Sequence, residues 1–452
     1  MSQVKFLRWF VLVVLLSLLI AACQPQTVIQ TVEVPKEVVK TVEVEKQVTK
    51  EVQVEVPAQP GNLRMWGFYD LTDTGDSRAV QMKQMIDAFQ STTGIKVEYE
   101  QVAWDQMATK VAVAAQAGGD LPDLIMVGAE YMQGLVNAGA LLEISEPIKN
   151  SFFYADINPF EKQLNEKGGK RYGVGTFISG GQWYYDTEFF PDGMPSTEEG
   201  WLEACKTLAP QGKYVATFFA GRHPAAMAQG LAPLIWSLDS TLFTEKGEPN
   251  FATDAMVKAL TFWRKLLADK CIPEISFTGD WSAAEGPFIE KTAGAVRGGT
   301  WSYIFIPGLQ ERYEGGTVKI GNPPALSGAK QGFVFMNADN WAITARAENV
   351  DNAVKFINFF FTPSILAPWA SSNFGVPATV SALNNPMFAD QFYKDSLDNL
   401  TRNGHPSETS PYYNESMDAL SAKVQELMLN PNMDIMSEMT KLQNELINQY
   451  FK

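Results

Sequence analysis

Between residues 63 and 139 the apolar residues alternate between two periods, and this alternation constrains the fold more than any other feature. Leu63, Met65 and Trp66 open a short strand. Met82, Met85, Ile86 and Phe89 then recur at helical spacing, and Gly94 stands where a helix C-cap requires it. Ile95, Val97 and Tyr99 alternate with Lys96 and Glu98, the pattern of a half-buried strand. A second helical stripe (Trp104, Met107, Ala108, Val111, Ala115) stops at Gly118 and Gly119. Residues 124–127 are continuously apolar, as in a buried parallel strand, and residues 131–138 restart a helix closed by Gly139. The order β-α-β-α-β-α predicts an α/β fold with a mostly parallel sheet. Ligands of such sheets bind at the carboxyl ends of the strands, here residues 66–70, 101–104 and 128–130.

Later segments keep this class. Met256, Leu260, Trp263 and Leu267 mark a helix opened by Thr253 as N-cap, and Val350, Val354, Ile357 and Phe361 mark another. Residues 417–427 and 435–446 predict two C-terminal amphipathic helices with no evident chemistry. Residues 61–452 exceed the size at which one hydrophobic core usually divides, so two lobes are expected.

The first sixty residues read differently. Lys5 and Arg8 precede an apolar run, residues 9–20, interrupted only by Ser17; small Ala21 and Ala22 then lead to Cys23. This is the plan of a secretory signal peptide, and the run is shorter than the roughly 20 residues of a comfortable membrane span. The alternative is an anchor that is never cut. Residues 24–60 repeat a Val/Glu/Lys/Thr pattern about every ten residues, with no aromatic residue and prolines at 25, 35, 57 and 60. They are too polar to build a core and read as a solvated tether reaching on the order of 100 Å if extended. A self-associating stalk is the competing reading, because Val-rich strands with open edges pair.

Charge and cysteine usage narrow the function. Removing residues 1–22 takes away Lys5 and Arg8 and no acid, which moves the net charge from −15 to −17. So acidic a chain argues against nucleic acid as a partner. Eleven Trp beside two His point towards a binding surface, although burial could also absorb the indoles. Beyond Cys23 only Cys205 and Cys271 remain. An extracytoplasmic location permits a disulfide between them, and the sequence leaves open both the bridge and two buried thiols.

Several segments, in order, carry a resemblance. Residues 89–97 (FQSTTGIKV) resemble the F-x-x-x-T-G-I-K-V segment of bacterial extracellular solute-binding proteins, the sugar-binding group that serves ATP-driven (ABC) importers. Residues 118–124 (GGDLPDL), leading to Gly139, resemble the family's G-D-L-P-D strand and helix. Residues 171–174 (RYGV) with 184–186 (YYD), 294–301 (GAVRGGTW), 340–343 (NWAI) and 353–357 (AVKFI) are similar to its later motifs. The crossover departs from the pattern, with Gly175 and Asp186 in place of Pro and Asn; Asp186 is read as a structural cap. Residues 19–23 (LIAAC) resemble the bacterial lipoprotein box, which implies acylation of Cys23 and a lipid anchor on the outer face of the membrane.

The resemblance implies a two-lobe, hinged periplasmic-binding-protein-like fold of type II, with the ligand cleft between the lobes. Lobe 1 is expected over 61–174 plus 340–372, and lobe 2 over 175–339 plus 373–452. It implies a monomer that hands a small ligand to an ABC permease, with no cofactor and no metal. A sugar presents C–H faces suited to aromatic rings and a rim of hydroxyls suited to carboxylates and amides. The expected ligand residues are therefore Trp66, Tyr69 and Asp70 after the first strand, Trp104 after the second and Glu130 after the third. Phe177 and Asn340 are expected at the two crossovers, Trp236 and Trp281 in the second lobe, and Trp301 as the family's glycine-flanked indole. A core role competes for every Trp, and a helix N-terminal charge for Glu130.

Enzyme signatures are scarce. His223 and His405 are the only histidines, and no H-E-x-x-H, G-x-S-x-G or P-loop is present. Asp70, Asp73 and Asp76 lack the spacing of a calcium loop. No catalytic residue is assigned. A glycan-active surface enzyme, which needs two facing carboxylates, and a surface adhesin are the competing classes. A polyol, a glycerophosphodiester or another polar solute is the alternative ligand.

Overall fold

A computed structural model describes residues 61–451; the expected signal sequence, Cys23 and the expected tether lie outside the described residues. Three parallel strands, β1 (Leu63–Gly67), β2 (Val97–Gln101) and β3 (Leu124–Gly128), alternate with α1 (Ser77–Thr93) and α2 (Trp104–Gln116). The register pairs Leu63 with Val97 and Met65 with Leu124. Asp76 caps α1 by accepting the Arg78 N–H at 2.9 Å, which satisfies one orphan donor of the first turn. Gly94 ends the helix at φ 72°. The helical stripe expected from the sequence faces inward: Met82, Met85, Ile86 and Phe89 are all buried.

Residues 174–186 form one wholly buried strand, β4 (Val174–Asp186), that serves two sheets. Its approach is fixed by a buried ion pair. Arg171 reaches Glu161 at 2.6 and 3.1 Å, and Glu161 also accepts the Gly175 N–H at 2.9 Å. That last bond gives a physical sense to Gly175 in place of proline, since proline has no N–H to donate.

Downstream come α3 (Glu198–Leu208), α4 (Asp254–Ala268) and α5 (Trp281–Ile289). Strands β5 (Ala295–Gly299), β6 (Val318–Gly321) and β7 (Val334–Ile343) follow. The first half of β4 pairs antiparallel with β7, from Val174 opposite Trp341 to Gly180 opposite Met336. Beyond that point β4 changes partner, to β5 from Gly181 opposite Gly299 and to β6 from Trp183 opposite Gly321. β7 in turn lies antiparallel beside β3, so the first sheet runs β2-β1-β3-β7-β4. The α/β class is as expected, but the sheet is mixed rather than mostly parallel: β1, β2 and β3 pair parallel, whereas β7 and β4 join antiparallel.

Two aromatic cores pack against the sheets, and each draws residues from both sides of the β4 crossover. Helices α6 (Val350–Phe360) and α7 (Pro363–Ser372) pack Phe356, Phe360 and Trp369 with Trp341 and Phe89. The other core joins α4 to the terminal helices α8 (Tyr413–Leu429) and α9 (Ile435–Tyr450) around Trp201, Phe218 and Trp263. Thr253 caps α4 as expected, accepting from the Met256 N–H, and Arg264 donates to the Leu427 carbonyl at 3.0 Å, closing α4 onto the end of α8. Cys205 on α3 is bonded to Cys271, with their Cα atoms 5.0 Å apart. Asp186 accepts the Glu188 N–H at 2.8 Å and pairs with Arg312 at 2.7 Å, so it caps the turn that ends β4.

Candidate functional site

The loops after β1, β2 and β3 open on one side of the first sheet and face residues that follow β5 and begin α5. Between them lies a cleft of about 870 Å³, towards the upper end of the range for small-ligand sites. Seven of the ten residues expected from the sequence line it: Tyr69, Asp70, Trp104, Glu130, Phe177, Trp281 and Trp301.

Each is placed by a local cause. The Tyr69 ring meets Trp369 edge-on at 5.3 Å, and its hydroxyl donates to Asn373 at 3.0 Å. Burial, the largest effect on that hydroxyl, raises its pKa well above the ordinary tyrosine value. Asp70 accepts the Thr72 hydroxyl and N–H at 2.7 and 2.9 Å, which hold its carboxyl below the ordinary range. Trp104 begins α2 and meets Tyr131 edge-on at 5.5 Å. Trp281 begins α5 against Phe219. The Trp301 ring folds back over Gly299, where a Cβ would stand 2.2 Å from the indole; the glycine admits the ring.

Glu130 sits in the turn after β3 and is 4% exposed. Its carboxylate curls over Gly128, where a Cβ would come within 2.4 Å, and it accepts the Asn337 amide at 2.5 Å. Burial raises its pKa from 4.5 to about 7, against smaller lowerings by its own backbone N–H and by the Asn337 bond. Asp339 lies two residues along β7, on the same face as Asn337. Part of its surface is open to the cleft, yet the protein around it displaces enough solvent to raise its carboxyl to about 6, with Arg78 opposing. Glu285, on the opposite wall, is raised to about 7 by burial, with Trp281 opposing through a hydrogen bond.

Trp66, Trp236 and Asn340 do not line the cleft. Trp66 packs among Met107 and Val111 with the Lys110 ammonium 4.0 Å over its ring, on the α2 side of the sheet. Trp236 stacks on His405 at 4.1 Å and donates to Glu408 at 2.5 Å. Asn340 is fully buried in β7 on the face opposite Asn337 and Asp339. Of the ten described Trp residues, three line the cleft (Trp104, Trp281, Trp301); the other seven are buried. The indole count therefore reflects core packing more than a binding surface.

Other lining residues escaped the sequence reading. Asn337 and Asp339 carried one signal, two polar residues at strand spacing inside an apolar run. Arg78, on the first turn of α1, lies across the cleft mouth with its guanidinium 5.3 Å from the Tyr69 ring and 4.9 Å from the Phe305 ring. Gln229 and Glu285 gave no local signal. Among the described residues no group of three or more His, Cys, Asp or Glu is arranged to hold a metal ion, and no helix is long and apolar enough to cross a membrane.

Residues 84–394 match the family described as bacterial extracellular solute-binding proteins. The arabinooligosaccharide-binding protein of Halalkalibacterium halodurans is 25% identical over 201 residues. That match spans 42% of this chain and 43% of the relative, less than half of either. Three crystal structures share the fold at low identity. A Thermotoga lettingae ABC transporter solute-binding protein with bound α-D-tagatose is 17% identical (TM-score 0.71), covering 86% of this chain and 99% of its own. The GacH receptor of Streptomyces glaucescens, studied with acarbose, is 14% identical (TM-score 0.70; 86% and 98%). A maltose-bound T. maritima protein is 17% identical (TM-score 0.71; 86% and 100%).

Proposed function

The chain belongs to the bacterial extracellular solute-binding protein family, and we propose that it captures a sugar or oligosaccharide outside the membrane and delivers it, unaltered, to an ABC permease. One observation carries this reading: a single large cleft combines aromatic faces with carboxylates and amides. Trp104, Trp281 and Trp301 offer their rings to C–H faces, and Glu130, Asn337 and Asp339 accept from hydroxyls. The names of the relatives, which bind arabinooligosaccharide, tagatose, acarbose and maltose, support the same class.

The topology supports closure, with a hinge where β4 exchanges β7 for β5, between Gly180 and Gly181, rather than at the expected boundary between 174 and 175. A ligand that touches both walls stabilises the closed arrangement by the contacts it makes only there. The mature chain works as a monomer held at the membrane by a diacylglyceryl group on Cys23, with residues 24–60 as its tether. Labelling with radioactive palmitate tests the anchor: the wild type takes up label and Cys23→Ala does not, and equal label in both sinks it.

A thermal-shift screen against mono- and oligosaccharides, polyols and glycerophosphodiesters tests the ligand class, because a ligand that binds only the folded state raises the melting temperature. A shift with saccharides, confirmed by calorimetry, is expected. A shift confined to the other solutes defeats the sugar reading. Release of shorter products during incubation with oligosaccharides defeats the reading as a pure binder.

A further inference from the structure

The cleft has many carboxylates and few cations. Six carboxylates line it (Asp70, Asp73, Asp76, Glu130, Glu285 and Asp339) against one guanidinium, Arg78, and one imidazole, His223. Arg78 is committed: its Nε and Nη2 donate to Asp76 at 2.9 and 2.6 Å. The Tyr69 hydroxyl is given to Asn373, whose own amide donates to the Trp369 carbonyl at 2.9 Å.

Two buried amides add acceptor oxygens. Asn337 is 5% exposed and Gln229 is 9% exposed; both line the cleft, and neither side-chain oxygen has a hydrogen-bond partner. The orientation of Asn337 is dictated by chemistry, since turning its amide over would set an oxygen against the Glu130 carboxylate. Its oxygen is therefore a true acceptor held ready in the wall. Glu130 and Glu285, from opposite walls, are each more than nine-tenths buried, and neither has an ion-pair partner among the described residues. Where they ionise, buried carboxylates of this kind call for a positive partner.

A neutral sugar hydroxyl donates one hydrogen bond to a carboxylate but brings no charge to offset it. An ammonium group donates three times and accepts nothing. It also gains from the faces of the indoles that share the cleft, as cations do over aromatic rings. An anionic group meets the opposite situation, with carboxylates on both walls.

We propose that the cleft selects a sugar bearing a protonated amine, an aminosugar or an oligosaccharide containing one, over its neutral and acidic counterparts. The proposal rests on the reading of this cleft as a carbohydrate site. It argues at the same time against the phosphate-bearing solutes that the fold alone permits.

The test uses calorimetry on the whole mature chain at pH 7. The probes are matched sets: glucosamine, glucose and glucuronic acid, the corresponding galactose and mannose sets, and the β-1,4-linked dimers and trimers of glucosamine and glucose. The amine-bearing member of at least one set is expected to bind about tenfold more tightly than its neutral partner, the equivalent of one modest ion pair. The acidic member is expected to bind least. Asp339→Asn is expected to cost the amine-bearing member more affinity than the neutral one and so to bring the two closer. Equal or tighter binding of the neutral member overturns the preference and leaves the sugar-capture reading intact. Binding of simple amines such as spermidine with no sugar bound overturns the carbohydrate reading and this proposal with it. If no probe binds, both fall.

Discussion

Glu130→Gln is expected to stabilise the ligand-free protein, and to do so only above mildly acidic pH. The substitution keeps the shape of the side chain and the oxygen that accepts from Asn337. It removes the ability to ionise and exchanges the other oxygen for an NH2 group. In the folded chain burial raises this carboxyl from 4.5 to about 7, whereas in the unfolded chain it titrates normally. Below about pH 4.5 both states hold the proton, and the group contributes no pH-dependent difference. As pH rises through 7 the unfolded state gains an ionised, solvated carboxylate while the folded state must ionise in a buried site, so stability is lost. A rise from 4.5 to about 7 corresponds to a loss on the order of 3 kcal/mol at pH 8. Glutamine removes that loss. Glu285 is shifted in the same direction, but both proteins carry it, so its effect cancels in the difference, whereas repulsion from Asp339 is part of the Glu130 shift and is lost with it. The assay is the melting temperature of wild type and variant from pH 4 to pH 8 without ligand. The two are expected to melt together near pH 4 and to separate by a few degrees at pH 8, the variant higher. Parallel curves, or a variant that melts lower at pH 8, refute the claim that burial without compensation governs this carboxyl.

Trp301→Ala is expected to weaken ligand binding roughly 10- to 100-fold by calorimetry, through loss of an aromatic face, with little change in melting temperature because the ring lies in the cleft. Unchanged affinity removes Trp301 from the site. Replacing Cys205 and Cys271 together by Ser opens a closure of 66 residues and is expected to cost about 4 kcal/mol in the chain-entropy model. Equilibrium denaturation reads this, and a loss below about 1 kcal/mol argues that the bridge adds little. Arg171→Ala strands the fully buried Glu161 and is expected to cost roughly 3–5 kcal/mol, with Arg171→Lys intermediate. A cost near zero on denaturation means that the pair does not hold the approach to β4.

What the sequence determined by itself was the class of fold and the places where the chain turns. Period and cap are local properties: Asp76 and Gly94 bound α1, and Met82 to Phe89 face inward, because each depends on residues within a turn or two. The carboxyl ends of β1 to β3 were legible for the same reason, and Tyr69, Asp70, Trp104 and Glu130 were found there. Sequence could also see that Cys205 and Cys271 might pair, but not that their Cα atoms stand 5.0 Å apart. Tertiary structure decided which face of a strand meets the cleft. Asn340 is one residue from Asp339, and that single step turns it from the cleft to the interior. It decided which indoles are core, since Trp66 and Trp236 find Lys110 and His405 only after folding. It also decided the charge of the site. Asp70, Glu285 and Asp339 lie far apart along the chain, and their shared cleft, with its scarcity of cations, exists only where two lobes meet. Hydrophobic periodicity is written along the chain, whereas desolvation and electrostatic neighbourhood are properties of space, and these set the chemistry of the cleft.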